Sequence, residues 1–334
     1  MRRALQPILI TGGAGFIGSA FLRLAVDKNL ALAVCDKLTY AADLARLKNC
    51  KERIAFFKVD VGDYSAARRV FLNVRPKTIV HFAAATHVDR SIKDSSDFVQ
   101  TNYLGTYNLL ELSRRFGVER FVHISTDEVY GQNLSGSFSE DSPLQPNSPY
   151  AATKAAADLL IRAFIHTHNF PAIIIRPCNN YGPWQYPEKF IPLAILRILR
   201  GEKIPIYGRG ENVREWLYVD DCAKGILQIL GQGRVGEVYN LGSGERLRNI
   251  DTARIILKAM GRSPDEIEFV SDRPGHDLRY CLDSSKTLRQ IGFRPKTRFK
   301  EGIVKTIHWS IQNKDWLLDK WIQLKRLYPF LKTS

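Results

Sequence analysis

The sequence predicts an α/β protein built on a doubly wound parallel sheet, because three observations agree. Short β-rich runs recur through the first half of the chain, helical stretches separate them, and the runs are apolar on both faces, as strands covered by helices must be. In chain order the runs are "PILIT" (7–11), "ALAVCD" (31–36), "IAFFKVD" (54–60), "TIVHFAA" (78–84), "RFVHIST" (120–126) and "AIIIRP" (172–177). Right-handed crossovers follow from that alternation. Beyond residue 177 the pattern becomes punctuated by Pro and Gly, with a return to the sheet at "EVYNLG" (237–242). The expected organisation is therefore a first domain over 1–177, to which 216–245 returns, and a smaller α/β domain over 178–330. The second domain should lie beyond the strand ends, where open α/β sheets bind their ligands.

Composition limits what such a chain does. With 334 residues, 45% of them hydrophobic and 25% charged, it reads as a soluble globular protein. Its longest apolar runs fall far short of the ~20 residues that span a bilayer, and no targeting segment stands out, so a cytoplasmic protein without a membrane partner is expected. Cys35, Cys50, Cys178, Cys222 and Cys281 are odd in number and form no CxxC pair. Neither a disulfide framework nor a metal site is expected from them. The formal net charge of +15 raises nucleic-acid binding. The basic residues are nevertheless dispersed, no zinc-finger or RNP-like pattern is present, and a diphosphate ligand attracts the same charge, so nucleic acid is not an expected partner.

The run "ILITGGAGFIGS" sets Gly12, Gly15 and Gly18 between a strand and a helix, where bare backbone can turn sharply and offer N–H groups to a pyrophosphate. A second strand ends at Asp36, 18 residues past Gly18, where a carboxylate accepts both hydroxyls of an adenosine ribose. These features make the first half a Rossmann unit. Asp36 favours NAD by repelling a 2′-phosphate, although Lys37 beside it leaves NADP open. Asp60 closes the third strand and reads equally as an adenine contact or as a solvated strand-end acid.

In "SPYAATKAAADLL", Tyr150 and Lys154 stand four apart at the start of a helix and share a face. A neighbouring ammonium is expected to lower the phenol's pKa and ready it to take a proton from a hydroxyl. Tyr328 and Lys332 repeat the spacing, but in a terminal tail. Thr126, Asp127 and Glu128 in "STDEVYG" leave the fifth strand and reach the same cleft. Hydride transfer alone needs Tyr and Lys, whereas a paired acid and base serve elimination of water. In isolation "TDE" also reads as a helix cap.

With "DKLTYA" (36–41), "THVDRSI" (86–92), "TNYLGT" (101–106), "YAATK", "NNYGPWQYPEKFIP" (179–192), "REWLYVDD" (214–221) and "DRPGHDLRY" (272–280), the chain resembles the dTDP-glucose 4,6-dehydratases of the extended short-chain dehydrogenase/reductase family over nearly its whole length. The resemblance implies NAD as cofactor and a homodimer formed through the helix bearing Tyr150. In the implied mechanism Tyr150 removes the C4 hydroxyl proton, Glu128 takes the C5 proton, Asp127 protonates the departing C6 hydroxyl and Thr126 bonds the C4 oxygen. The implied cofactor set adds Phe16, Ile17, Leu38, Thr39, Val61, Ala83, Thr101 and Ser125 to Gly12, Gly15, Gly18, Asp36, Lys37, Asp60, Tyr150 and Lys154. Thr86, Asn179, Lys189, Phe190, Tyr207, Arg214, Asn249, Arg273 and His276 become substrate contacts. His87 and Asp89 are assigned to local structure. The family's "AAES" is here "AAAT", so Ala85 replaces a glutamate and Thr86 a serine beside the sugar pocket, which leaves UDP-glucose open beside dTDP-glucose.

Two other functions remain in view. A nucleotide-sugar epimerase or decarboxylase shares the first half, Tyr150 and Lys154, but has no need of an acid at Asp127. A non-catalytic NAD-sensing protein needs none of Tyr150, Lys154, Asp127 and Glu128. The tail "WLLDKWIQLKRLYPFL" (316–331) is apolar at helical spacing with basic residues opposite, and packing over its own domain is the expected use of it.

Overall fold

Strands with no polar face need helices on both sides, and a computed structural model of the chain, describing residues 5–272 and 274–328, has this arrangement. Strands β1 (Ile8–Thr11), β2 (Leu32–Asp36), β3 (Ile54–Lys58), β4 (Thr78–His81), β5 (Arg120–Ile124) and β6 (Ala172–Pro177) are all parallel and lie in the order β3-β2-β1-β4-β5-β6. Alternate side chains of β1 enter opposite cores. Ile8 and Ile10 pack with α1 (Phe16–Val26), while Leu9 faces α2 (Tyr64–Val74). Helices α3 (Val88–Lys93) and α4 (Ser96–Phe98) follow β4, and a π-helical stretch, Val99–Leu104, carries α4 into α5 (Gly105–Arg115). Helix α6 (Pro149–His168) begins where Ser148 Oγ accepts the Ala151 N–H at 3.1 Å and Pro149 occupies the first turn, and it ends at a left-handed Asn169. That start places Tyr150 and Lys154 in its first two turns.

The second half begins with β7 (Asn179–Tyr181), α7 (Phe190–Leu199), β8 (Ile204–Tyr207) and β9 (Val213–Tyr218). Helix α8 (Val219–Gln232) then packs beside α1, and β10 (Val238–Leu241) pairs parallel with β6 as the seventh strand of the large sheet. The returning segment is thus shorter than 216–245, because residues 216–218 are held in β9 by pairing with β7, while β11 (Arg246–Arg248) pairs with 213–215 of the same strand. Helix α9 (Asn249–Ala259), β12 (Ile267–Val270) beside β8, α10 (Ser285–Ile291), α11 (Phe299–Gln312) and α12 (Lys314–Leu327) complete the chain. A separate apolar core joins α7, β8, α9 and α11.

Three runs overshoot the strands they predict. Pairing stops at Lys58, His81 and Ile124, so Asp60, Ala83 and Thr126 stand past the strand ends, at the edge where the cleft opens. In the tail, Leu317, Trp321 and Leu324 of α12 are buried against Tyr186, Leu193 and Leu196, which is packing on the chain's own second half. Tyr328 lies against Arg90 and Tyr40, away from the nicotinamide end expected of Tyr150, while 329–331 and Lys332 fall outside the described residues.

Gly12 is required by both conformation and space. Its φ is +72°, and a Cβ there would stand 2.5 Å from the Ala83 nitrogen. Replacing Gly12 with Ala is therefore expected to lower stability by about 1–3 kcal/mol and to weaken dinucleotide binding; a denaturant midpoint equal to that of the parent would contradict this.

Candidate active site

The C-terminal ends of β1, β2, β4 and β5 border a cleft of about 280 Å³. Gly12, Gly15, Phe16, Ile17, Gly18, Asp36, Lys37, Thr39, Asp60, Val61, Ala83, Thr101, Ser125, Tyr150 and Lys154 all line it. Leu38 does not. Its φ of +57° turns its N–H to the Asp36 carboxylate at 2.8 Å and its side chain packs toward the core, so its contribution is to hold Asp36. The other Asp36 oxygen accepts the Ala14 N–H at 2.9 Å, and burial pushes this carboxyl up against those two bonds. Lys37 is drawn away from Asp36. Its ammonium bonds Thr101 Oγ1 at 2.9 Å and Asp60 at 3.2 Å.

A dinucleotide fits these residues. A Cβ on Gly18 would meet the Gly12 carbonyl oxygen at 2.3 Å, so the glycines bring strand and helix together with open N–H groups between. Ser125 Oγ and Asn179 Oδ1 are buried without a hydrogen-bond partner on this same wall, where a ligand would satisfy them.

At the inner end of the cleft, Thr126, Asp127 and Glu128 leave β5 in a 3-10 turn over Asp127–Tyr130, next to the start of α6. Thr126 caps this turn, accepting the Glu128 N–H at 3.3 Å and donating to Asp127 Oδ1 at 3.2 Å. The cap reading of "TDE" and the chemical one thus describe the same atoms. Asp127 is 1% exposed. Burial, then the charges of Glu128 and Glu215, push its carboxyl well above the ordinary range, and Arg214 only partly opposes them. A carboxyl shifted in this direction is suited to donating a proton.

Tyr150 behaves differently from the expectation. Burial and the Glu128 charge raise its phenol well above the usual value, and hydrogen bonding to Thr126 works against them. Lys154 does not lower it in this arrangement, because its ammonium is turned to the Ile124 carbonyl at 2.7 Å and to His123 Nε2 at 3.3 Å. Burial lowers Lys154 itself to about 8, with Asp158 pulling the other way.

Beyond Glu128 the cleft continues into a second cavity of about 180 Å³, lined by Asn179, Lys189, Phe190, Tyr207, Arg214, Asn249 and His276. Thr86 lies on the first cavity, and its carbonyl accepts the Lys189 ammonium at 2.9 Å. Arg214 is buried, stacks over Tyr280 at 4.2 Å and donates to the Asp277 carbonyl at 2.8 Å. His276 pairs with Asp272 at 2.6 Å, and Tyr207 donates to Asp89 at 3.2 Å. Phe190 stacks on Trp216, and Asn249 Oδ1 is buried without a partner. Arg273 lies outside the described residues. His87 and Asp89, assigned to local structure, do both: His87 caps α3, yet each lines the second cavity.

Sequence reasoning missed Glu188, Asn180 and Gln185, which line both cavities. Glu188 is a buried carboxylate, its side chain 1% exposed, that accepts the Tyr40 hydroxyl at 2.7 Å. All three sit inside "NNYGPWQYPEKFIP", so the motif was visible while the choice among its side chains was not. Glu215, which helps hold Asp127 protonated, was hidden in "REWLYVDD" for the same reason.

A parallel sheet in this order with a Tyr/Lys helix at its carboxyl edge has the architecture of the extended short-chain dehydrogenases/reductases. Comparison with known proteins narrows this. The model of the family described as GDP-mannose 4,6 dehydratase matches residues 9–306. A dTDP-glucose 4,6-dehydratase of Streptomyces niveus is 46% identical over 321 residues, covering 92% of this chain and 94% of that one. The structure of DesIV, the dTDP-glucose 4,6-dehydratase of Streptomyces venezuelae with NAD bound, superposes with a TM-score of 0.91 at 45% identity, covering 94% of this chain and 99% of that one. A UDP-glucose 4-epimerase of Thermus thermophilus in complex with NAD gives 0.84 at 32% identity, covering 90% and 98%. The chain belongs to the nucleotide-sugar 4,6-dehydratase family.

The raised Asp127 carboxyl has a stability signature. Between its unfolded value of 3.8 and its higher folded value the native state holds a proton that the unfolded chain has lost, so stability falls as pH rises through that window. Each unit of elevation costs about 1.4 kcal/mol. Asp127→Asn, which never ionises, should melt above the parent at pH 8, and the difference should shrink toward pH 4. A variant that melts lower at pH 8 would remove the protonated buried carboxyl.

Proposed function

We propose that this chain converts a nucleoside-diphosphate hexose, dTDP-glucose or UDP-glucose, to its 4-keto-6-deoxy derivative with loss of one water. The observation that carries the reading is the placement of Asp127, a carboxyl that is 1% exposed and pushed up by burial, beside Glu128 at the Tyr150 end of the cleft. Bound NAD supplies the acceptor for the C4 hydride and its donor at C6, and in its oxidised form a positive charge favouring the phenolate. Tyr150 takes the C4 hydroxyl proton, and Thr126 hydrogen-bonds the C4 oxygen. The C4 ketone acidifies C5, whose proton passes to Glu128 while Asp127 protonates the departing C6 hydroxyl. Glu128 would return a proton to C5 as C6 is reduced, and the proton gained by Tyr150 would leave to solvent as Asp127 takes one back, so the sum is loss of water with the cofactor unchanged. Lys154, with its ammonium near 8, keeps positive charge within the buried floor beside Tyr150.

Residues 1–177 with the returning strand hold the cofactor in this reading, and 178–330 hold the nucleotide diphosphate. The second cavity supports that division, since Arg214, Lys189 and His276 are suited to phosphate oxygens and the aromatic pair Phe190 and Trp216 to a base. Arg273 belongs to the same proposed set. The cytoplasm is the proposed location, in keeping with five unpaired, buried cysteines and with the absence, among the described residues, of a helix long and apolar enough to cross a membrane.

The test is a panel of dTDP-, UDP-, GDP- and CDP-hexoses incubated with enzyme and NAD and analysed by mass spectrometry. Loss of one water from the glucose derivatives is expected. An epimer of unchanged mass, loss of carbon dioxide, or binding without turnover would replace the reading with one of the alternatives. Tyr150→Phe should block the first oxidation. Asp127→Asn should still reduce NAD, seen by nicotinamide absorbance, yet dehydrate about 10²–10⁴-fold more slowly.

The chain is also proposed to form a homodimer through α5 and α6. Tyr107 on α5 and Leu159 on α6 are exposed, with Val99 and Leu104 on the π-helical stretch alongside, a concentration of apolar side chains suited to a self-complementary contact. Sedimentation should give twice the chain mass, and Tyr107→Arg with Leu159→Arg should return it to one; a parent that sediments as a monomer at micromolar concentration ends this proposal.

A further inference from the structure

Arg46 lies on a 3-10 turn, Leu44–Leu47, after β2, and is 2% exposed. Four of its five N–H groups meet main-chain carbonyls. Nη1 donates to the Ala14 oxygen at 2.9 Å and to the Ala41 oxygen at 2.6 Å, while Nε and Nη2 both donate to the Trp184 oxygen at 3.2 and 2.8 Å. Ala14 stands within the glycine loop. Trp184 stands in the segment 182–189 that carries Glu188 and Lys189 onto both cavities. One guanidinium therefore ties the dinucleotide wall of the cleft to its sugar wall.

The tie is not explained by packing alone. A buried guanidinium is costly unless its donors are satisfied, and an apolar side chain would fill the same space without that cost. What only the planar fork supplies is simultaneous donation to carbonyls on separate loops. Trp184 also has φ +70°, an unfavourable backbone for a bulky residue, and its carbonyl is the one receiving two of the four bonds. Its ring is wedged against Trp309 and Trp316, so the segment is held from behind while Arg46 sets its height over the glycine loop.

We propose that Arg46 is a positioning residue that couples the two halves of the cleft, so that filling the nucleotide half tightens the dinucleotide half and the reverse. This rests on the reading above, that one half takes NAD and the other a nucleoside diphosphate. No glycine-loop residue lines the second cavity, so a nucleotide seated there acts on the loop through an intermediary. By linkage the effect is mutual.

The test measures NAD release from the purified holoenzyme, trapped by an NAD-consuming enzyme, with and without saturating thymidine diphosphate. In the parent the nucleotide should slow release about 5-fold or more. In Arg46→Lys and Arg46→Met the ratio should fall below about 2-fold, with lysine, which reaches fewer carbonyls, keeping more of it than methionine. A merely structural role would lower thermal stability and speed release equally in both conditions, leaving the ratio intact, and that result overturns the proposal. Should the methionine variant fail to fold, hydrogen exchange of the parent decides. Thymidine diphosphate alone must then protect the amides of residues 12–18, and unchanged exchange there is equally fatal. Failure of both thymidine diphosphate and uridine diphosphate to bind would instead sink the functional reading, whereas binding without coupling sinks only the role of Arg46.

Discussion

Crowded negative charge at the end of β5 is the constraint on which the site depends. Asp127, Glu128 and Glu215 stand close enough for each of the latter two to disfavour ionisation of the first, in a place that water hardly reaches. Like charges in a buried site cannot all ionise, so the arrangement divides the roles. Glu215 is fixed by the Gly244 and Leu282 N–H groups at 2.7 and 2.9 Å, and it stays an acceptor. Glu128 lines both cavities. Asp127, whose Oδ2 is buried without a hydrogen-bond partner, is the carboxyl whose ionisation is most disfavoured. A single turn thus presents an acid and a base from adjacent residues.

The floor beneath this turn is polar although it is sealed. Arg176 on β6 donates to Asp158 at 2.8 Å and to the Tyr130 hydroxyl at 2.8 Å, and Tyr130 in turn donates to Asn240 on β10 at 2.7 Å. Asp158 is also the one group that raises the Lys154 ammonium against its burial. The chain of bonds explains why the seventh strand matters to the chemistry. By binding Asn240 it anchors the cation that anchors the carboxylate that keeps Lys154 charged.

Much of this was legible in the sequence because local rules set it. Apolar runs bounded by helices gave the sheet, the spacing from Gly18 to Asp36 gave the dinucleotide wall, and "STDEVYG" ahead of "YAATK" gave the carboxylates beside the phenol. What escaped depended on contacts between distant segments. The reversed shift of Tyr150 comes from Glu128 and from burial, neither of which a four-residue spacing encodes. Glu188 accepts the hydroxyl of Tyr40, 148 residues away, and residues 216–218 pair with β7 instead of joining the large sheet, a choice of strand partner that periodicity does not rank. Leu38 lay in the right motif but turns its backbone, not its side chain, to the task.

Asp43, on the loop after the second strand, receives the indole N–H of Trp316 at 2.8 Å and the ammonium of Lys320 at 2.7 Å, the first across 273 positions of sequence. Synthesis proceeds from the amino end, and loop closure over such a span comes late. The loop beside the adenosine end of the cleft is therefore finished only when α12 has left the ribosome. A nascent chain arrested short of that helix can build most of its sheet and still lack the brace that Trp316 and Lys320 give the loop at Asp43.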